Sequence, residues 1–352
     1  MNLKRTLVTI TLFYFCVMAM GCGKKQEKVT KKESPAPKVV TTDEHVGEEK
    51  SMLTGLWIDE EVAKQRPLAI MMGNTSDAAP QSGIEKAGVV YEIPVEGGIT
   101  RLMSVIEDYS DLKRIGSVRS CRYYFVHYAM EYNGFYAHFG QSKYALPTLN
   151  NPMVPNVNGL EGEAGKCYYR VTDRRAPHNA FADGSKIKDY LVKKGNDLNY
   201  DDSYQGHFTF AEEDEENQLV DGSDATYVSP GYSVDQPWFE YNQGDKLYYR
   251  FQYNKEHVDN ESGRQLSCKN IVIQYVNIGL FDDGKSLTIG TVGSGKGEFI
   301  TNGKSVPMVW KKQSEFAKTT YCYEDGTEIE FNPGKTWILL VDAQKTSKVT
   351  VK

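Results

Sequence analysis

The chain has little of what marks a nucleic-acid binder, a metalloprotein or a polytopic membrane protein. It holds 41 basic and 47 acidic residues for a net charge of −6, with no basic tail or stripe to serve as an electrostatic footprint for nucleic acid. Nucleic acid is therefore not an expected partner. The one long apolar run, residues 7–20, is too short to cross a bilayer comfortably. The acidic run Glu212-Glu-Asp-Glu-Glu216 and the nearby Asp221-Gly-Ser-Asp224 match no EF-hand spacing, so they read as solvated charge and no metal is expected. Gly290-Thr-Val-Gly-Ser-Gly-Lys296 fills the first seven places of a P-loop, yet Gly297 stands where a Ser or Thr would hold magnesium. The next residues, Glu298-Phe-Ile-Thr301, read as a strand where a helix is required, so the phrase is expected to be a glycine-rich bulge or loop and no cofactor is implied.

What is present begins with an export signal. Lys4 and Arg5 precede the apolar run, and the small residues Ala19 and Gly21 lead into Cys22. This resembles a lipoprotein signal over residues 1–21 with Cys22 as the lipidation site; an ordinary signal peptide cut nearby is the alternative. A diacylated cysteine carries more than one chain, enough for stable anchoring. The expected location is the outer face of the cytoplasmic membrane, with the membrane itself a partner through Cys22. Residues 22–52 hold almost no large apolar side chain and read as a solvated tether.

The remaining length divides into an α/β domain over 53–211, an acidic linker over 212–225 and a smaller, mostly β domain over 226–352. In the first, residues 67–72, 89–93, 101–107 and 134–139 read as strands, and 120–132, 142–150 and 185–194 as helices, a mixed α/β (α+β) layer. Residues 150–159, punctuated by Pro and Asn, read as a surface excursion. The last domain shows short aromatic and branched runs separated by Asp-Gly, Asn-Gly and Pro-Gly turns. Four cysteines remain after processing: Cys121, Cys167, Cys268 and Cys322. Of three pairings, Cys121–Cys167 with Cys268–Cys322 keeps each bridge within a domain.

Arginine is unevenly placed. Only 11 of the 41 basic residues are Arg, yet Arg101, Arg114, Arg119, Arg122, Arg170, Arg174 and Arg175 share one span. The flat guanidinium fork matches carboxylate or phosphate. A helix capped by Ser117 or Ser120 would add unpaired N–H groups beside Arg119 and Arg122, a combination that favours an anion. Pairing with Glu92, Glu96, Glu107 and Asp173 is the structural alternative.

Several phrases resemble the YerB-like lipoprotein family, exported two-domain proteins carrying domain of unknown function 3048. They include Arg66-Pro-Leu-Ala-Ile-Met-Met-Gly-Asn74, Tyr91-Glu-Ile-Pro-Val-Glu-Gly-Gly-Ile-Thr-Arg101, Gly116-Ser-Val-Arg-Ser120, Arg175-Ala-Pro-His-Asn179 and Asn332-Pro-Gly-Lys-Thr-Trp337. The family pattern commonly has a small residue where Cys121 stands and Asp where Gly73 stands. The resemblance implies fold and location but no activity.

The expected function is binding of an anionic envelope group through Arg101, Arg119, Ser120, Arg122 and Arg175, the ligand being peptidoglycan, teichoic acid or another envelope protein. The alternative is an envelope-polymer hydrolase or transferase that moves protons through Glu92, Glu96, His138 or His178. In one strand Glu92 and Glu96 would share a face at roughly 13 Å, too far apart for a hydrolase pair unless the bend at Pro94 folds them closer. Cys121, beside two arginines and a helix start, would have a lowered thiol pKa. For His178 a structural turn role is expected ahead of catalysis. A third reading is a structural adaptor for a membrane-bound complex.

Overall fold

Residues 68–73, Leu-Ala-Ile-Met-Met-Gly, offer no polar face, and every one of them is buried. A strand apolar on both sides must be covered on both sides, and the computed structural model meets that demand with a layered arrangement. It describes residues 45–352 apart from residue 213, so the signal at residues 1–21 and the lipidation site Cys22 lie outside the described residues.

The strands that matter are β1 (Leu68–Gly73), β2 (Val89–Pro94), β3 (Thr100–Ile106), β4 (Phe135–His138), β5 (Asn156–Asn158), β6 (Ser223–Asp224), β7 (Tyr227–Ser229), β8 (Trp238–Asn242), β9 (Leu247–Gln252) and β10 (Asn270–Val276). They continue with β11 (Ile278–Leu280), β12 (Leu287–Ile289), β13 (Gly293–Thr301), β14 (Lys304–Lys312), β15 (Thr319–Cys322) and β16 (Thr336–Asp342). An eleven-stranded sheet runs β6-β14-β13-β10-β16-β2-β3-β1-β4-β5, with β15 also on β14. Strands from both halves of the sequence meet at its centre, where β16 pairs in parallel with β2. His45–Lys352 form one compact unit.

Alternation along these strands fills two cores. Ala69, Met71, Tyr91, Ile338 and Leu340 point to one face, covered by Tyr124 and Tyr128 of α1 (Tyr123–Ala129). Leu68, Ile70, Met72, Trp337 and Leu339 point to the other, covered by Ile187 and Leu191 of α2 (Gly184–Lys193) and by Val228, Phe239 and Tyr248 of a six-stranded sheet built on β7, β8 and β9.

The molecule is mostly strand with few helices, so the mixed α/β description of the first half holds only in part. The expected helix at 120–132 is α1 followed by a 3-10 turn, Met130–Tyr132. It starts later than expected: Arg122 occupies the cap position without a side-chain bond, and neither Ser117 nor Ser120 caps it. The expected helix at 142–150 shrinks to a 3-10 turn and Leu146–Leu149. The excursion at 150–159 is not wholly superficial, because β5 extends the sheet in parallel with β4. Gly293–Gly297 is not a loop: it lies within β13, paired along β14, and a Cβ at Gly295 would meet the indole of Trp310 at 2.6 Å. The tether ends early, since Glu48–Lys50 pair with Trp57–Asp59, and buried Ser51 donates to Glu107 at 2.7 Å. In the acidic stretch, Lys246 and Lys269 bind Glu216, and β6 joins β14.

All four cysteines are free, buried thiols, so neither expected bridge forms. Burial pushes the Cys121 thiol up to about 12, outweighing the nearby guanidinium groups of Arg122 and Arg101. The lowered pKa expected from its neighbours is thereby reversed.

Candidate functional site

Strands β10, β16, β2, β1, β4 and β5 run the same way, with β3 reversed between β2 and β1. The carboxyl ends of the six and the start of β3 therefore share one edge, and the arginines collect there. Arg101 is the second residue of β3. The backbone of Arg119 bridges the ends of β1 and β4, donating to Met71 O at 3.1 Å and accepting from Phe139 N at 3.1 Å. Gly73 makes room for the Arg119 stem: a Cβ there would meet Ala78 Cβ at 2.9 Å and Arg119 Cγ at 3.1 Å.

Each guanidinium has its own partner. Arg101 is buried and donates to Ser120 O at 2.5 Å. Arg119, half-buried, donates to Pro177 O at 2.9 Å. Arg122 grips Glu96 through Nε at 2.9 Å and Nη2 at 2.6 Å. Burial pushes Arg101 down to about 10, with Arg122 and Arg119 adding to the effect. Arg119 is lowered for the same two reasons, burial and Arg122. Burial disfavours the charge on Glu96, but the Arg122 fork outweighs it and holds the carboxyl below its usual range. Of the three cations only Arg122 is bonded to a carboxylate among the described residues; Arg101 and Arg119 are bonded to backbone carbonyls. Arg175 is exposed on the neighbouring turn and makes no hydrogen bond or ion pair with the three.

The proton-transfer residues are dispersed. The strand carrying Glu92 ends at Pro94, and the chain turns through Glu96–Gly98, where Gly97 and Gly98 adopt φ of 80° and 73° that only glycine takes readily. Glu92 faces the six-stranded sheet while Glu96 goes to Arg122, so the two do not share a strand face. His138 is fully buried, its Nδ1 2.9 Å from Gly140 O, and burial lowers its pKa. His178 is partly open, with Nδ1 3.4 Å from Thr75 Oγ1. Its pKa is lowered by burial and then by Arg119, which it neighbours. Glu92 and His138 cannot touch a polymer without the fold opening.

Glu92 belongs instead to a closed polar network. Its Oε2 accepts from Arg250 Nη2 at 2.6 Å, and Trp337 Nε1 lies 3.3 Å from the same oxygen. Thr100 Oγ1 lies 2.9 Å from Glu92 Oε1 and 3.0 Å from Asp235 Oδ2. One hydroxyl proton cannot serve two carboxylates, so one carboxyl must bring its own. That one is Asp235, pushed up to about 8 by burial and by the adjacent Glu92. Arg250 Nη1 donates to His257 Nδ1 at 2.9 Å, which leaves His257 Nε2–H to donate to Gln81 Oε1 at 2.6 Å. Sequence reasoning missed Asp235, Arg250 and His257. A signal existed for Arg250: it shares the buried parity of β9 with Tyr248 and Gln252.

A second closed pair, Lys312 and Glu131, lies under α1, where Thr319 N and Oγ1 donate to Glu131 at 3.1 and 2.8 Å.

Among proteins of known sequence, “Putative lipoprotein YerB” of Bacillus subtilis (strain 168) is 28% identical over 313 residues, covering 85% of this chain and 89% of that protein. The crystal structure of YerB protein from Bacillus subtilis superposes with a TM-score of 0.75 at 27% identity, over 86% of this chain and 99% of that one. Residues 53–197 match the N-terminal domain of the protein of unknown function DUF3048, and residues 226–338 match its C-terminal domain. With both parts present in order, and joined through the sheet and the Glu92–Arg250 network, the chain belongs to the DUF3048 family.

Proposed function

We propose that this protein is a lipid-anchored, extracytoplasmic component of the cell envelope that binds an anionic envelope group through Arg101, Arg119 and Arg122. One observation carries the reading: three guanidinium groups crowd one sheet edge with Glu96 as their single bonded carboxylate. A buried cation without a compensating charge costs several kcal/mol in typical proteins, and a bound anion would remove that cost. The export pattern ending at Cys22 and a relative named as a lipoprotein support the location.

In this reading Arg119 is the primary contact, since it gives one bond to a backbone carbonyl and keeps further donors. Arg122 has a fork already shaped for a carboxylate and would exchange or share Glu96. Arg101, enclosed behind them, contributes field. The ligand is a peptidoglycan carboxylate or a wall-polymer phosphate.

The test is binding of the mature chain, carrying Cys22→Ser, to purified sacculi with and without wall teichoic acid across a salt series. Salt-sensitive binding that falls at least about tenfold in Arg119→Ala plus Arg122→Ala is expected. Unchanged binding by the double variant would overturn the proposal. Dependence on teichoic acid separates the phosphate source from the carboxylate source.

A further inference from the structure

The same sheet edge carries a recess of different character. Three adjacent parallel strands, β10, β16 and β2, end there at Val276, Asp342 and Pro94. The segments after them in the chain wall a cleft of about 360 Å³. Open parallel sheets bind ligands outside the carboxyl ends of their strands, and small-molecule sites occupy roughly 300–1,000 Å³. Position and size both fit a ligand site.

The lining divides by chemistry. Ile99, Ile278, Leu280 and Leu287 supply apolar wall, and Leu280 is left 57% exposed. Around them stand Lys285, Lys345 and Lys348, against the acidic Asp342 and Glu96. Both acids are already taken: Asp342 by Lys345 at 3.0 Å and Glu96 by Arg122 at 2.6 Å. Lys285 and Lys348 are exposed and have no carboxylate partner among the described residues. An apolar wall with two uncompensated cations beside it is complementary to a molecule with the opposite layout.

We propose that this cleft binds a small amphiphilic anion, its apolar body against Ile278 and Leu280 and its phosphate or carboxylate held by Lys285 and Lys348. The site shares Glu96 with the arginine cluster, but none of the three arginines lines it. An alkyl phosphate ester and a fatty carboxylate present the same chemistry, so the probes distinguish them.

Calorimetric titration of the mature chain with Cys22→Ser uses octyl phosphate, octanoate and octanol below their micellar or solubility limits. At least one anion binds, and octanol binds about tenfold weaker or not at all. Lys285→Ala plus Lys348→Ala lowers the anion's affinity about tenfold or more, and Leu280→Asp, on an exposed side chain, lowers it comparably. Arg119→Ala, outside the cleft lining and not bonded to Glu96, leaves it unchanged. The proposal is overturned if neither anion binds, if octanol binds equally well, if the double lysine variant keeps full affinity, or if the arginine variant loses it.

Discussion

The arginine cluster and the Glu92–Arg250 network use the same residue types to opposite ends. In the network one buried cation faces one bonded carboxylate, Asp235 keeps a proton, and His257 stays neutral because burial and Arg250 hold its pKa well below the usual value. Charge is balanced, and Glu92 and Arg250 are sealed from water. In the cluster only one of three cations, Arg122, has a bonded carboxylate, and the Arg122–Glu96 pair keeps side-chain exposures of 15% and 25%. Balanced, closed polar groups fix how two parts of a chain meet; an open surplus of one sign is what the proposed anion would neutralise.

Breaking the closed site should have the largest effect. Arg250→Ala leaves Glu92 buried without its cation and should cost about 3–5 kcal/mol, read by urea denaturation. Lys312→Ala should fall in the same range, since Glu131 is equally enclosed. By contrast Arg122→Ala strips a partner from a partly solvated Glu96 and should cost about 1 kcal/mol or less. If the two arginine variants proved equally destabilising, the distinction between a closed and an open site would fail.

A smaller effect separates the sites by pH. Asp235 has its folded pKa raised to about 8, so the folded state binds more protons than the unfolded state between about pH 4 and that value. Its contribution to stability is therefore fullest at low pH and is lost as pH rises to about 8. Glu107, pushed up to about 7 by burial, acts in the same sense. Neutral buried His207 and His257 act oppositely below about pH 6.5. The informative quantity is the melting temperature of wild type minus that of Asp235→Asn, which should fall steadily from about pH 5 to about pH 8 and level off above it. A difference independent of pH would contradict a protonated Asp235.

The smallest expected effect is none at all. With four buried free thiols, reductant should leave the melting temperature unchanged, and a thiol reagent should label Cys121, Cys167, Cys268 and Cys322 only after denaturation.

Much of the fold was legible in the sequence. Apolar runs located β1, β2, β3 and β4 to within a residue or two, and of the arginines crowded in one span Arg101, Arg119 and Arg122 meet at the sheet edge. The pairing of carboxylates with these arginines, offered as the structural alternative, holds for Glu96 with Arg122 and for Asp173 with Arg114; which partners would meet was not legible, because the place of Glu96 depends on a glycine turn after Pro94. Nor was the partnership of Glu92 with Arg250, 158 positions apart, since separation along a chain carries no distance. Cys121 misled for another reason: its cationic neighbours are present, but burial in the core that includes Tyr124 and Tyr136 outweighs them.

The proposed anion site rests on a surplus of positive charge in the cluster. Thermal unfolding of wild type and of Arg119→Ala plus Arg122→Ala in inorganic phosphate or chloride, at equal ionic strength, tests it directly. A ligand that binds only the folded state raises stability by about 2.7 kcal/mol at a hundred times its Kd. Phosphate should therefore raise the melting temperature of the wild type above its value in chloride and leave the double variant unmoved; equal shifts in both proteins would contradict the account.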